Sequence, residues 1–196
     1  MDILMNGNKI DFTIENERTL GEILGSLESA CEKAGMTITA IRVDGKTVSA
    51  SELDALFPLA PDAVASVELD TINADDIIAL LREFGTRMTG FVAPLRDIPL
   101  QLQTGKDLPV LETIHRFSLD LQSLYQLLPL ISIAGLSPER SSVDGIPLNA
   151  YPSELAPVLS ELIKALETKD TVLAGDLSEY ELAPRIERLG ATLSAV

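Results

Sequence analysis

Apolar and polar residues alternate in two short runs at the start of the chain. The runs cover residues 2–5 and 9–14, and Asn6-Gly7-Asn8 joins them. An Asn-Gly pair between alternating runs favours a tight hairpin turn, because both residues tolerate the positive φ that such a turn requires. We therefore predict an N-terminal β-hairpin.

A helical period follows the hairpin. Thr19-Leu20-Gly21-Glu22 forms a capping box, in which the Thr and Glu side chains satisfy free backbone N–H groups at the helix start. Gly35 is placed to end the helix, since a glycine commonly occupies the left-handed position after the last turn. Apolar residues with helical spacing predict one buried face: Leu20, Ile23, Leu24, Leu27, Ala30, Cys31 and Ala34.

Alternation returns after Gly35 and predicts three further strands. Thr39, Ile41 and Val43 share one face of a strand over 37–43, and Asp44-Gly45 turns the chain into a strand over 46–48. Residues 51–54 suit a short helical turn. The last strand is predicted over 64–69, with one face formed by Ala65, Val67 and Leu69.

The order β-β-α-β-β-short helix-β within the first 70 residues resembles the β-grasp fold of ubiquitin and the small sulfur-carrier proteins. Residues 41–48, Ile-Arg-Val-Asp-Gly-Lys-Thr-Val, look like their central strand and turn. The resemblance implies a ubiquitin-like domain over residues 1–70. Members of that family that are conjugated or carry sulfur need a free C-terminal Gly-Gly, whereas this chain continues past the last strand and ends at Val196. We therefore expect no conjugation chemistry.

The outward face of the predicted sheet has two interpretations. Ubiquitin is recognised through an apolar patch there, and Arg42 occupies a position where an aliphatic residue would be expected. The face is either a solvated surface or a polar binding surface. Alternation places these residues on it: Asp2, Leu4, Asn6, Lys9, Asp11, Thr13, Arg42, Ser66 and Glu68.

Residues 71–196 have helical periodicity and predict an antiparallel bundle of about four helices, so the fold class is α+β. The first helix begins at Asn73, and Pro94 and Pro99 predict a kink or break in it, because each removes a backbone donor. Gly105 ends that region. Its apolar stripe comprises Ile77, Leu80, Leu81, Phe84, Met88, Phe91 and Leu95. Asp107 is predicted to cap a second helix with the stripe Leu111, Ile114, Phe117, Leu121, Leu124, Leu128 and Ile131, ending by Gly135.

The remainder of the bundle is predicted as a long loop over 136–152 and two helices over 154–168 and 171–193. Their short connection predicts antiparallel packing. Pro184 predicts a kink, and Gly175 permits a close approach between helices. The last stripe includes Val172, Leu173, Leu177, Tyr180, Ile186, Leu189 and Leu193. Residues 170–184 also resemble the C-terminal helix of modules in uncharacterised bacterial proteins.

Charge and composition narrow the classes of partner. The chain carries 30 acidic and 15 basic residues, a net charge of −15, which opposes binding to a phosphate backbone. No apolar stretch approaches ~20 residues, the length of a membrane span, and the first residues lack the pattern of a secretory signal. We predict a cytoplasmic protein that binds neither nucleic acid nor membrane.

No side chains with catalytic spacing are found. Cys31 falls on a buried stripe, and His115 with Glu112 makes half a metal site at most. The nucleotide-binding and hydrolase motifs are absent. Acidic and basic residues at i, i+4 spacing predict exposed ion pairs, namely Glu83 with Arg87, Glu112 with Arg116 and Glu181 with Arg185. We explain the cluster Asp176, Glu179, Tyr180 and Glu181 in the same way, and we predict no catalytic, cofactor-binding or metal-binding residues.

Two functions are compatible with this pattern. The first is a non-catalytic adaptor, in which the bundle, or a groove beside it, binds a protein partner or a second copy; it predicts an exposed apolar patch of several hundred Å². The alternative is a small-ligand sensor or unrecognised enzyme. That alternative predicts a closed pocket in the bundle lined by Tyr125, His115 and Tyr180.

Overall fold

The computed structural model describes residues 1–136 and 141–196. The chain divides into two compact units, residues 1–76 and 77–196. The first contains a small mixed sheet with one long helix, and the second is mostly helical, so the chain is α+β.

A five-stranded sheet forms the first unit. Its strands are β1 (Asp2–Met5), β2 (Asn8–Lys9), β3 (Met36–Val43), β4 (Lys46–Thr47) and β5 (Ser66–Asn73). They lie in the order β2-β1-β5-β3-β4, with β1 parallel to β5 and the other neighbours antiparallel.

A tight turn connects the two strands of each hairpin, β1 with β2 and β3 with β4, as predicted. Asn6 and Gly7 have φ values of 49° and 76°, and Asp44 and Gly45 have 48° and 78°. The predicted strand over 9–14 is wrong in extent, because pairing with β1 stops at Lys9. The Ile10 N–H still donates to the Ile3 carbonyl at 3.0 Å, the residues after it leave the ladder, and Ile10 and Phe12 pack against the core.

The helix α1 (Leu20–Lys33) covers the sheet. Thr19 Oγ1 accepts a hydrogen bond from the Glu22 N–H at 3.2 Å, and Gly35 has a φ of 69°, so both predicted ends are confirmed. Ala30 and Ala34 are exposed, which makes the buried face narrower than predicted. The buried core of this unit comprises Ile3, Leu20, Ile23, Leu24, Leu27, Val43, Val64, Val67 and Leu69.

A β-bulge changes which residues of β3 face the core. The pairing of β3 with β5 shifts between Ile38 and Ala40. Ile38 therefore packs against the core, and Thr39, predicted to share the face of Ile41, is exposed and donates a hydrogen bond to the Asp70 carbonyl at 3.2 Å. A bulge inserts one extra residue, so the alternation changes phase at that point.

Residues 50–63 form α2 (Ala50–Leu56) and a short 3₁₀ turn, Pro61–Ala63. The strand β5 then continues to Asn73, four residues beyond its predicted end. Asn73 Oδ1 accepts a hydrogen bond from the Asp76 N–H at 2.9 Å, which caps the next helix.

That helix, α3 (Ala74–Gln103), is continuous through Pro94 and Pro99, so a break is wrong, and a kink, the alternative, stays a prediction. Each proline costs one intrahelical hydrogen bond. Burial offsets this cost, since Leu95 and Ile98 next to the prolines have no exposed surface. Gly105, with a φ of 71°, follows the helix end.

The helix α4 (Asp107–Leu127) is followed by a 3₁₀ segment, Leu128–Ser132. Lys106 occupies the cap position, so Asp107 is the first helical residue rather than the cap. Val110 is buried, whereas the predicted stripe residue Leu111 is 53% exposed.

The predicted loop over 136–152 contains regular structure. Strands β6 (Ser142–Val143) and β7 (Ile146–Pro147) form a hairpin around Asp144 and Gly145, both with positive φ. Leu148 is 1% exposed and anchors this segment in the core. The part of the prediction that concerns residues 137–140 lies outside the described residues.

The helices α5 (Tyr151–Glu167), α6 (Thr171–Asp176) and α7 (Ala183–Ala195) complete the second unit. A π-helical segment, Leu177–Leu182, joins α6 to α7 just before Pro184, at the place where the sequence predicts a distortion. The predicted close approach at Gly175 is confirmed, because a Cβ there would lie 3.1 Å from Pro99 Cβ. Val172 and Tyr180, assigned to the last stripe, are 72% and 65% exposed.

Candidate functional site

An apolar groove lies between α4 and α5. Its central part is a cavity of about 210 Å³, and its end near the start of α4 is a separate cavity of about 240 Å³ that shares no lining residue with the first. We call the two together the α4–α5 groove. Apolar side chains from both helices line it: Val110, Leu111, Ile114, Phe117, Leu121 and Tyr125 on α4, and Leu159, Leu162, Ile163, Ala165 and Leu166 on α5.

The floor of the groove is buried and its rim is exposed. Phe117 and Leu162 on the floor are each 1% exposed, and the Phe117 ring meets Phe91 of α3 edge-on, with 5.4 Å between centroids. Leu111 and Ile163 on the rim are 53% and 50% exposed. A large apolar side chain of α4 at the end cavity and one of α5 at the central cavity therefore remain in contact with water.

The groove carries little charge, although the chain is strongly acidic. Ser118 and Gln122 are the polar side chains of the central part, and the charged ones, Asp107, Lys169 and Asp170, lie at one end. The uncharged apolar surface of the central part, on a chain of net charge −15, is typical of a surface that is covered by another molecule.

Tyr125 closes the far end of the groove. Its hydroxyl oxygen is buried and has no hydrogen-bond partner among the described residues. Burial, with a smaller contribution from nearby Tyr151, raises the pKa of Tyr125 to about 12. The Tyr151 hydroxyl, in contrast, donates to the Arg185 carbonyl at 3.1 Å. The phenol of Tyr125 is therefore neutral at physiological pH and contributes an apolar ring face to the groove.

The residues proposed for a ligand pocket do not form one enclosed site. Tyr125 lines the open groove, His115 is exposed on α4, and Tyr180 is 65% exposed on the π-helical segment. Glu181 of the acidic cluster pairs with Arg185 at 2.5 Å. Cys31 is buried, and its burial raises the pKa of the thiol. In residues 1–136 and 141–196 no three His, Cys, Asp or Glu side chains gather as a metal site would require.

The outward face of the sheet contains an ion-pair cluster. The Arg42 guanidinium donates to Asp70 through Nη1 at 2.8 Å and Nη2 at 2.6 Å, and to Glu68 through Nε at 3.0 Å. These bonds raise the pKa of Arg42 and lower that of Glu68. The arginine is fully occupied by carboxylates of its own sheet, which favours the interpretation of a solvated face.

Comparison with known proteins places the chain among relatives of uncharacterised function. Residues 1–73 match the TP0873 N-terminal domain, and residues 92–192 match a domain of unknown function, DUF8042. The chain belongs to the DUF8042 family. A protein of Treponema pallidum (strain Nichols), described as uncharacterised, is 38% identical over 189 residues, which cover 96% of this chain and 94% of that protein.

The resemblance to uncharacterised bacterial proteins is confirmed at this level. No solved structure matches the chain. No helix in the described part of the chain combines the length and apolar character needed to cross a bilayer.

Proposed function

We propose that this chain is a non-catalytic cytoplasmic adaptor whose α4–α5 groove binds a helix of a partner protein. The single observation that supports this most strongly is that a half-exposed apolar residue stands beside each cavity of the groove, Leu111 of α4 at one and Ile163 of α5 at the other, next to a buried apolar floor. An amphipathic helix that lies in such a groove buries its apolar face against both walls.

The dimensions of the groove suit a helix. Its α4 wall runs from Val110 to Tyr125, about 22 Å at 1.5 Å per residue, which is the length of about four helical turns. A second copy of the chain is a less favourable occupant, because two chains that each carry a charge of −15 repel one another. The same charge repels nucleic acid.

We also propose that the first unit is a β-grasp domain. The strand order β2-β1-β5-β3-β4, the parallel pairing of β1 with β5 and the single long helix on one face support this assignment. Backbone nuclear Overhauser contacts between Ile3 and Val67 test it, since an antiparallel or absent pairing of these strands would contradict it.

The test of the adaptor function is affinity capture with groove variants, followed by reconstitution of the purified complex. Leu111→Glu places a carboxylate in the groove, where burial beneath a partner helix would cost at least about 1.4 kcal/mol, or tenfold in affinity. Leu119→Glu is the matched control, because Leu119 is 51% exposed on the same helix but lies about 80° around its axis from Leu111.

We expect the wild type and Leu119→Glu to form a stoichiometric complex and Leu111→Glu to lose it. Light scattering after size-exclusion chromatography gives the stoichiometry and also detects self-association. Equal binding by both variants, or a solitary monomer that captures nothing, would count against the groove as a binding site.

A further inference from the structure

A second cleft lies on the other side of α4, between α4 and α3. It has a volume of about 270 Å³, and Arg87, Gly90 and Pro94 of α3 face Arg116 and Asp120 of α4 across it. Arg116 follows Ile114 of the groove by two residues, so it lies about 160° around the helix from the groove wall. The cleft is therefore separate from the α4–α5 groove.

Arg87 is held in place within this cleft. Its Nη1 lies 3.1 Å from Asp120 Oδ1, and its Cζ lies 4.0 Å from the centroid of the Phe84 ring. Its Nε is buried without a hydrogen-bond partner among the described residues, since Glu83 Oε1 is 4.0 Å away. One carboxylate and one ring therefore orient the guanidinium without satisfying all of its donors.

Arg116 has no ion-pair partner in residues 1–136 and 141–196. The sequence predicts that Arg116 pairs with Glu112 one turn earlier, and this prediction is wrong. The two other predicted pairs are present, Glu83 with Arg87 at 4.0 Å and Glu181 with Arg185 at 2.5 Å. The Arg116 side chain lines the cleft instead. Two arginines and one aspartate line this cleft, and Glu83 also pairs with Arg87 at 4.0 Å, so the charge without a partner in the cleft is that of Arg116.

Gly90 keeps the cleft open. It lies in the interior of α3, where alanine is favoured over glycine by about 1 kcal/mol, and a Cβ on Gly90 would meet no atom within 4 Å. Pro94, four residues later, supplies no N–H to the Gly90 carbonyl. The glycine is thus not required by packing, and its position leaves both space and a carbonyl acceptor at the wall of the cleft.

We propose that this cleft binds an oxyanion, a carboxylate or phosphate group, between Arg116 and the preoriented Arg87. A guanidinium presents parallel N–H donors that match the oxygens of both groups, and such charge-assisted hydrogen bonds are among the strongest in proteins. Asp120 holds Arg87 in place, which leaves Arg116 free to contact the ligand directly.

The test is an NMR titration of the full chain with inorganic phosphate and, separately, with succinate. We expect saturable shifts of the Gly90 amide and the Arg116 Nε–H with at least one of the two, and with an affinity on the order of millimolar. Saturation by phosphate alone identifies a phosphate site, and saturation by succinate identifies a site that accepts carboxylates.

Three variants separate the site from non-specific attraction. Arg116→Gln removes the free guanidinium, and Gly90→Leu fills the cleft; each is expected to weaken binding about tenfold. The control is Arg96→Gln, which also removes one positive charge from α3. Arg96 is exposed and pairs with Glu187 of α7, so this variant should leave binding unchanged. Shifts that never saturate, or that are equal in Arg116→Gln and Arg96→Gln, would overturn the proposal.

Discussion

Two glycines on one helix, Gly85 and Gly90, should respond in opposite ways to substitution by alanine. A Cβ at Gly85 would lie 2.6 Å from the Ser194 N and 2.9 Å from the Gly190 carbonyl oxygen, where α3 crosses α7. Ordinary contacts begin near 3.4 Å, so the two helices would have to separate by about 0.8 Å. A Cβ at Gly90 meets nothing within 4 Å.

The magnitudes follow from two opposing effects. Alanine in a helix interior is favoured over glycine by about 1 kcal/mol, and this gain applies at both positions. Overpacking costs about 1–3 kcal/mol and applies only at Gly85, where backbone atoms on the facing helix cannot rotate away. We expect Gly85→Ala to lower the free energy of unfolding by up to about 2 kcal/mol and Gly90→Ala to raise it by about 1 kcal/mol.

Thermal and urea denaturation followed by circular dichroism at a helical wavelength measure both changes. Each kcal/mol corresponds to a Tm shift of about 2–4 °C for a chain of this size. If Gly85→Ala stabilised the protein as much as Gly90→Ala, the close crossing of α3 and α7 would be refuted.

Three further outcomes are expected. Tyr125→Phe should leave the free energy of unfolding unchanged or raise it, because it removes an unpaired buried hydroxyl. Tyr151→Phe should lower the free energy of unfolding by about 1 kcal/mol, because it removes the hydrogen bond to the Arg185 carbonyl. Equal losses for the two variants in urea denaturation would contradict this. Lys169 has a φ of 56°, so Lys169→Gly should stabilise the protein by about 1 kcal/mol, and a fall in Tm would contradict the left-handed conformation. The hydrogen bond from Arg42 lowers the pKa of Glu68, so this interaction stabilises the fold above the pKa of a free glutamate and is lost as the pH falls. In an NMR titration, Arg42→Gln should raise the pKa of Glu68, and an unchanged value would contradict the ion pair.

Local conformational requirements are what the sequence predicts best. The turns at Asn6-Gly7 and Asp44-Gly45 and the N-cap at Thr19 depend on a few adjacent residues, and all three are confirmed. The other half of the predicted capping box is wrong, because the Glu22 side chain accepts from the Arg18 N–H and not from that of Thr19. The hairpin around Asp144-Gly145 contains the same Asp-Gly turn sequence as Asp44-Gly45. Its strands have only two residues each, which is too few to show an alternation of apolar and polar residues, so the hairpin was not predicted.

Tertiary packing explains most of the remaining differences. Pro94 remains inside α3 because the helix face around it is buried, and the alternation of β3 changes phase at Thr39 because β5 pairs across a bulge. Helical periodicity identified α4, but it placed Leu111 in the core. Which apolar residues line an open groove depends on how far apart α4 and α5 pack, and no local pattern contains that distance.

The most direct test of the adaptor proposal is site-specific photo-crosslinking from the groove. A photoreactive amino acid is placed at position 111, at position 163 or, as the control, at position 119, and the crosslinked peptides are identified by mass spectrometry. We predict that positions 111 and 163 crosslink to the same helical segment of one partner protein and that position 119 does not. Crosslinks of equal yield from all three positions, or none from 111 and 163, would contradict the assignment of the α4–α5 groove as the binding site.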